Sequence, residues 1–407
     1  MTKRDRPEDV RIGLLVERQR AYGRRFCEGA AAYALETPGI SLGMLEWGDL
    51  SRPRVLASFD VLVVRVLDDE DERQLRKANR PVVDVFYGRE REGFGVVDLD
   101  NAAIARLAAD HLLSHGFINF AYCGYEGVRF SDARRAAFVA FVRKAGFDCS
   151  VYATPERVIR RFGDHVVRGE HYALTSAEEY AMGRWMAALP KPVAVFCSHD
   201  LRAHQLLDVC LKCGVEVPRE VAILGVDDDA LLCGFTTPTL SSIDPNGWQA
   251  GRNAIRMAVE MAADRPLRKG FHGHFTKPKG LVVRGSTEIY PVVPAWLSDA
   301  LVFIRKNAVK GIGPNEVFAY LGRSHTAVGR VFRAKLGTTV LQEISRARLE
   351  EACRLLRETG LSVQEVAHAA GFSTAQYFCR AFSDAYGMSA GAWRAHYGCR
   401  GGMFPKR

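Results

Sequence analysis

The sequence predicts an α/β region of two doubly wound parallel-sheet lobes, followed by an all-α tandem helix-turn-helix domain. Three observations carry that expectation. Short β-branched runs alternate with amphipathic helical stretches from Val10 to about Thr287. A helix-turn-helix pattern then occurs twice at a fixed offset of fifty residues, and the chain's excess of basic residues is concentrated in the part that holds the repeat.

Taken in order, Arg11 to Glu17, Val61 to Val66, Pro81 to Val85, Ile118 to Gly124, Val193 to Cys197, Val221 to Val226 and Leu281 to Val283 read as strands. Helices are expected between them at Ala21 to Ala34, Ala102 to Ser114, Ala133 to Ala145, Ser176 to Leu189 and Asp200 to Cys213. Such alternation argues for parallel sheets covered on both faces. A single sheet over about 280 residues would be large, so two lobes are the easier construction. In open α/β sheets ligands bind beyond the carboxyl ends of the strands. Those ends are polar here: Glu17, Arg18, Tyr22 and Arg24; Arg129, Phe130, Asp132, Arg134 and Arg135; Ser198, His199 and Asp200; and Asp227, Asp228 and Asp229. Planar charged groups beside aromatic rings suit a polyhydroxylated small molecule, through bidentate hydrogen bonds and ring stacking. Taken singly, each is a candidate solvated loop residue or helix cap, Asp200 in particular.

The segment Ser286-Thr-Glu-Ile-Tyr-Pro-Val-Val-Pro294 has two prolines and no helical period, and reads as a stiff linker. Beyond it, Val363, Val366, Ala367 and Ala370 recur at helical spacing, Gly371 allows a sharp turn, and Ser373 is placed to cap a second helix. Phe378 and Phe382 fall on one face of that helix and leave Gln376, Cys379 and Arg380 on the open sides. Ser324, Arg330, Phe332 and Gly337 are the earlier counterparts of Thr374, Arg380, Phe382 and Gly387. Between the units Val340 to Glu358 forms a 19-residue helical stretch, roughly 28 Å long at the α-helical rise. A rod of that length can hold two reading helices about 34 Å apart, one turn of DNA. From Ala295 to Arg407 there are 16 Lys and Arg against 8 Asp and Glu, nearly the whole net charge of +9. That is an electrostatic footprint for phosphates.

Ten cysteines are scattered without a disulfide framework, and Cys210-x-x-Cys213 has no partner pair of metal-ligand spacing. The charged N-terminus runs straight into a strand, and no apolar run approaches the roughly 18 residues of a membrane span. A cytoplasmic protein without cofactor or metal is expected. An exported solute-binding protein is disfavoured by the missing signal segment and by the repeat. An enzyme is disfavoured because no P-loop, full G-x-G-x-x-G, G-x-S-x-G or H-E-x-x-H occurs. Asp227 and Asp228 make a poor acid/base pair, since neighbours on an extended segment point to opposite sides.

Two resemblances add to this reading. The repeat, the Arg348-Leu-Glu-Glu-Ala-Cys-Arg-Leu-Leu356 helix and the Gly371-Phe…Tyr377-Phe378…Arg380-Ala-Phe382…Tyr386-Gly387…Trp393-Arg394 signature resemble the AraC-type DNA-binding domain of bacterial regulators. That resemblance implies major-groove positions at Thr326, Gly329 and Arg330, and at Ala375, Gln376, Cys379 and Arg380. Gly329 and Ala375 lack a hydrogen-bonding side chain, and Ala390 stands where the family usually has proline. Base reading is therefore expected chiefly from Arg330, Gln376 and Arg380. Arg134-Arg-Ala-Ala-Phe138, Phe196-Cys-Ser-His-Asp200 and Val221-Ala-Ile-Leu-Gly-Val-Asp-Asp228 are similar to the periplasmic-binding-protein-like ligand domain of LacI-type repressors. This implies sugar contacts at Arg134, His199 and Asp227, with His199 where asparagine is more usual.

The combined layout resembles bacterial sugar-responsive regulators that join these two domains, and it implies D-xylose as ligand, although residue spacing leaves other pentoses and hexoses open. Tyr22, Arg24 and Phe130 complete the expected ligand set. The expected organisation is a ligand domain at 10–287, a linker at 288–294, a DNA-binding domain at 295–397 and a tail at 398–407. Expected partners are double-stranded DNA, the sugar, a second copy of the chain and RNA polymerase, with gene activation as the sense of control and repression as the alternative.

Overall fold

The computed structural model describes residues 10–86, 90–154, 174–263, 273–289, 295–336 and 338–397. The N-terminal segment before Val10, most of the linker, Gly337 and the tail lie outside the described residues. The chain divides into two compact units, Met1–Thr287 and Glu288–Arg407.

The first unit holds two six-stranded sheets. In the first lobe β1 (Val10–Leu15), β2 (Ile40–Met44), β3 (Val61–Val64), β4 (Val82–Asp84), β5 (Phe94–Leu99) and β11 (Gly273–Thr276) run parallel in the order β11-β5-β4-β3-β1-β2. In the second, β6 (Phe120–Tyr125), β7 (Cys149–Thr154), β8 (Val193–Cys197), β9 (Val221–Val226), β10 (Ser241–Asp244) and β12 (Gly280–Val282) lie in the order β12-β10-β9-β8-β6-β7. Among the described residues only β12 pairs antiparallel. The residues of β3, β6, β8 and β9 are buried throughout, as strands covered by helices on both faces must be.

Helices α1 (Ala21–Glu36), α2 (Pro53–Leu56) and α3 (Asp69–Ala78) belong to the first lobe; α4 (Asn101–Ser114), α5 (Arg129–Lys144), α6 (Ser176–Ala188), α7 (Asp200–Lys212) and α8 (Ala230–Phe235) belong to the second. The chain crosses between lobes after β5, after β10 and after β11. All three crossings are tied together, because Asp100 N–H donates to the Thr276 carbonyl and Lys279 N–H to that of Asp244, both at 2.9 Å. Helix α9 (Gly247–Ala262) returns to the first lobe and lies directly on α1. The approach is so close that a Cβ at Gly251 would sit 2.0 Å from the Phe26 carbonyl oxygen.

Several boundaries depart from the sequence reading. β2, β5, β7, β10 and β11 were not expected, because they are short or carry Gly, Ser, Asp and His where β-branched residues would have marked them. Helix α5 begins at Arg129, not Ala133, so Arg129, Phe130 and Arg134 stand on the first turns of a helix. The cap of α7 is the His199 ring, not Asp200.

The second unit comprises α10 (Ala295–Asn307), α11 (Pro314–Leu321), α12 (His325–Leu336), α13 (Val340–Glu358), α14 (Val363–Ala369), α15 (Ala375–Tyr386) and α16 (Ala390–Tyr397). Its two cores are joined by α13. Val340 and Ile344 pack with Leu301, Val317, Val328 and Phe332; Leu349, Ala352 and Leu356 pack with Val366, Phe378, Phe382 and Trp393. Gly371 closes the α14–α15 turn at φ 84°, where a Cβ would meet the Ala308 carbonyl oxygen at 2.6 Å. Thr374, rather than Ser373, caps α15: its hydroxyl accepts from Tyr377 N–H at 3.2 Å.

Candidate ligand cleft and DNA interface

Residues at the carboxyl ends of the two sheets come together between the lobes and form a candidate cleft. From the first lobe come Arg20 and Tyr22 at the start of α1, Arg65 just after β3, Phe86 after β4 and Asp98 on β5. From the second come Phe130 and Arg134 on α5, His199 before α7 and Asp227 after β9. Charges of both lobes act on each other: the Tyr22 hydroxyl feels Asp98, Arg65, Asp227 and Arg134. Its oxygen is buried without a hydrogen-bond partner among the described residues.

Burial dominates the electrostatics. It raises the Asp98 carboxyl to about 7, against the opposing hydrogen bond from Leu99 N–H, and raises Asp227 to about 6 although Arg134 and Arg20 pull it down. His199 is pushed well below the usual histidine range by burial first and then by Arg20, Arg134 and Arg202. Its Nδ1 accepts from Arg202 N–H at 3.2 Å. The neutral ring must therefore carry its proton on Nε2, a buried atom with no partner among the described residues. Arg20 Nε and Nη2 and Arg65 Nε are likewise buried without one. Burying such donors unmatched is costly, so the cleft calls for a ligand rich in oxygen acceptors. The two carboxylates can accept from hydroxyl groups. Phe130 packs edgewise on Phe86, with ring centroids 6.3 Å apart, and supplies an apolar face.

Arg134 is fixed in place: Nε donates to Asn101 Oδ1 at 2.9 Å, Nη1 donates to the Ser198 carbonyl, and the guanidinium lies 5.1 Å from the Phe130 ring centroid. Of the ligand set read from sequence, Tyr22, Phe130, Arg134, His199 and Asp227 come together. Arg24 lies apart from them, half-exposed, pairing with Asp229 at 3.2 Å. Asp229 also accepts from Ala21 N–H at 3.2 Å, so this carboxylate joins the lobes. Asp227 and Asp228 do diverge, but through left-handed backbone, φ 119° and 47°, and not along an extended strand.

Sequence reading missed Arg20, Arg65, Phe86 and Asp98. Arg65 was absorbed into the strand Val61 to Val66, yet it is the one charged side chain in that apolar run. Asp98 was missed together with its strand.

In the second unit the polar helix faces picked out from the sequence are open. Phe378 and Phe382 are fully buried, while Gln376, Cys379 and Arg380 are exposed on α15; Thr326 and Arg330 are exposed at the matching positions of α12, whose Val328 and Phe332 are buried. Two buried anchors per helix thus leave one polar face of each for a groove. Arg348 secures the connecting rod, donating from Nε to the Ala308 carbonyl at 3.0 Å and from Nη2 to that of Ile312 at 2.7 Å.

A periplasmic binding protein-like domain is recognised at residues 109–287 and a helix-turn-helix domain at 317–396. Fold, site and these matches define the chain as a sugar-responsive DNA-binding transcription regulator. More particularly, it is similar from end to end to xylose operon regulatory proteins. That of Escherichia coli (strain K12) is 25% identical over 401 residues, covering 94% of this chain and 96% of the relative. That of Haemophilus influenzae is 23% identical, covering 94% and 98%. Among solved structures, the xylose-binding transcription activator XylR shares the fold with a TM-score of 0.58 and 23% identity over 95% of this chain and 98% of that one. The transcriptional regulator CelR in complex with cellobiose does so at 0.55 and 21% over 69% and 85%.

Proposed function

We propose that this protein senses D-xylose in the cytoplasm and, as a homodimer on double-stranded DNA, activates genes for use of that sugar by engaging RNA polymerase. The observation that carries the reading is the set of groups that meet between the lobes: acceptor-seeking donors on Arg20, Arg65 and His199 together with the half-buried carboxylates of Asp98 and Asp227, partners that a small polyol would satisfy. The end-to-end similarity to xylose operon regulatory proteins favours xylose over other sugars. Tyr22, Phe130, Arg134, His199 and Asp227 hold the sugar, with Asp98 and Arg65 added to that set. Thr326, Arg330, Gln376, Cys379 and Arg380 face the major groove. Ligand can alter DNA affinity only through a difference between two arrangements of the protein, and lobe closure supplies them. Among the described residues no helix is long and apolar enough to cross a membrane, in keeping with the proposed location.

The test is calorimetric titration against a panel of pentoses and hexoses, followed by DNA titration with and without the sugar that binds. Xylose binding that leaves DNA affinity and transcription unchanged counts against the proposal. Tightest binding by another sugar replaces the ligand, and sugar-induced release from the promoter reverses the sense. Bound sugar is expected to be recovered unaltered after prolonged incubation, as the regulators it resembles would leave it.

A further inference from the structure

The last residues of the ligand unit are fastened to the second lobe group by group. The Ser286 hydroxyl donates to the Ile223 carbonyl at 2.6 Å and accepts from Ser241 N–H at 2.8 Å. The Thr287 hydroxyl lies 2.8 Å from Ser241 Oγ and 3.1 Å from His111 Nε2. Ser241, Ser286 and Thr287 are all completely buried. Just before them, Arg284 Nη1 donates to the Leu240 carbonyl at 3.0 Å and Nη2 to Asp228 Oδ1 at 2.7 Å. Beyond Thr287 the second unit begins.

Asp228 is shared. Its other carboxylate oxygen lies 3.6 Å from Arg25 Nη2, on α1 of the first lobe. Arg25 Nη2 also donates to the Asp228 carbonyl at 3.2 Å, and Nη1 donates to Asp244 at 2.9 Å. The residue before it is Asp227, whose carboxylate faces the cleft. Both carry the left-handed backbone that side chains disfavour, a conformation that persists only where the surroundings hold it. One carboxylate therefore touches the first lobe, the loop lining the cleft and the segment that leads to the DNA-binding unit.

We propose that Asp228 and Arg284 are positioning residues that transmit ligand occupancy from the cleft to the exit segment of the ligand unit. This rests on the sugar-responsive reading above. In the closed arrangement Arg25 and Arg284 share the Asp228 carboxylate and the Asp227–Asp228 backbone is held left-handed. When the lobes part, Arg25 withdraws, the loop relaxes and Arg284 shifts with it, moving the chain just ahead of Ser286. The two arrangements then differ at the exit by an ion pair and a backbone conformation, which is what a coupling free energy requires.

The experiment uses the full chain and reads DNA affinity with and without saturating xylose, together with sugar affinity. In Arg284→Met the sugar-induced change in DNA affinity is expected to shrink by about fivefold or more, while sugar affinity and sugar-free DNA affinity stay within about twofold. Arg284→Lys, which keeps a charge towards Asp228, should restore part of the response. Asp228→Asn preserves shape and an acceptor for Arg284 and should lose the response without unfolding, so it decides the matter if Arg284→Met fails to fold. An undiminished response in Asp228→Asn overturns the coupling alone. An unmodified protein that binds sugar but ignores it on DNA overturns the sugar-responsive reading and the coupling with it.

Discussion

At the residue scale, the groups with most to say about binding are the two carboxyls that burial has pushed towards neutrality. Asp98 at about 7 and Asp227 at about 6 both stand above their unfolded values, so these two carboxyls hold more protons in the folded unit than in the unfolded chain through the window from about 4 to 7, while His199, pushed down by burial, works in the opposite sense. Asp98→Asn should therefore remove part of the loss of sugar-free stability that accompanies rising pH across that window, by thermal melting. A sugar hydroxyl donating to either carboxylate favours the ionised form. Sugar affinity should therefore rise from pH 5.5 to 8, and binding near pH 6.5 should release protons, seen as a calorimetric enthalpy that varies with buffer ionisation heat. A flat profile would place the hydroxyls elsewhere. Arg134→Ala removes a guanidinium held by Asn101 and Ser198; sugar affinity is expected to drop at least about tenfold, or 1.4 kcal/mol, with sugar-free DNA affinity retained. Arg380→Ala should do the reverse, costing about 1–3 kcal/mol of operator affinity if it reads a guanine.

Elements differ in how plainly the sequence announced them. The rod α13 was legible to its ends, because apolar positions recur along it at helical spacing and Thr339 with Gln342 forms a capping box at its start. The fully buried strands β8 and β9 were equally plain from their apolar runs, and β3 and β6 were found from theirs with ends displaced by one or two residues. Strands such as β5 and β10 were not, since they spend positions on Gly, Ser and Asp, residues that local propensity assigns to turns. Asp98 was lost for that reason, and Arg65 because a strand was read two residues too long. Helix α5 was begun four residues late, since Arg129-Phe-Ser-Asp lacks an apolar repeat even though it forms the first turn. At this scale Phe382→Ala should destabilise the second unit by about 3–5 kcal/mol, as for other large buried side chains, and denaturant titration would measure it. DNA binding should disappear with folding, while sugar binding by the first unit persists.

Across the whole molecule, the two units keep separate cores, so their stabilities should respond separately to ligand. Sugar at 100 times its dissociation constant stabilises the state that binds it by about 2.7 kcal/mol. Scanning calorimetry should show xylose raising the transition of residues 1–287 and leaving that of 288–407 in place; equal shifts of both would mean that the units unfold as one. The basic excess of the second unit predicts operator affinity that declines linearly on a logarithmic salt scale, with a shallower slope when an exposed arginine such as Arg330 is replaced.

The helix α13 belongs at once to the packing of both helix-turn-helix units, with Ile344 in one core and Leu356 in the other. A protein built so cannot stretch to follow its target. One base pair inserted between the two half-sites would turn the second by roughly 35° about the duplex, given 10–10.5 base pairs per turn, and the phase of the operator would be lost to a reader with no joint.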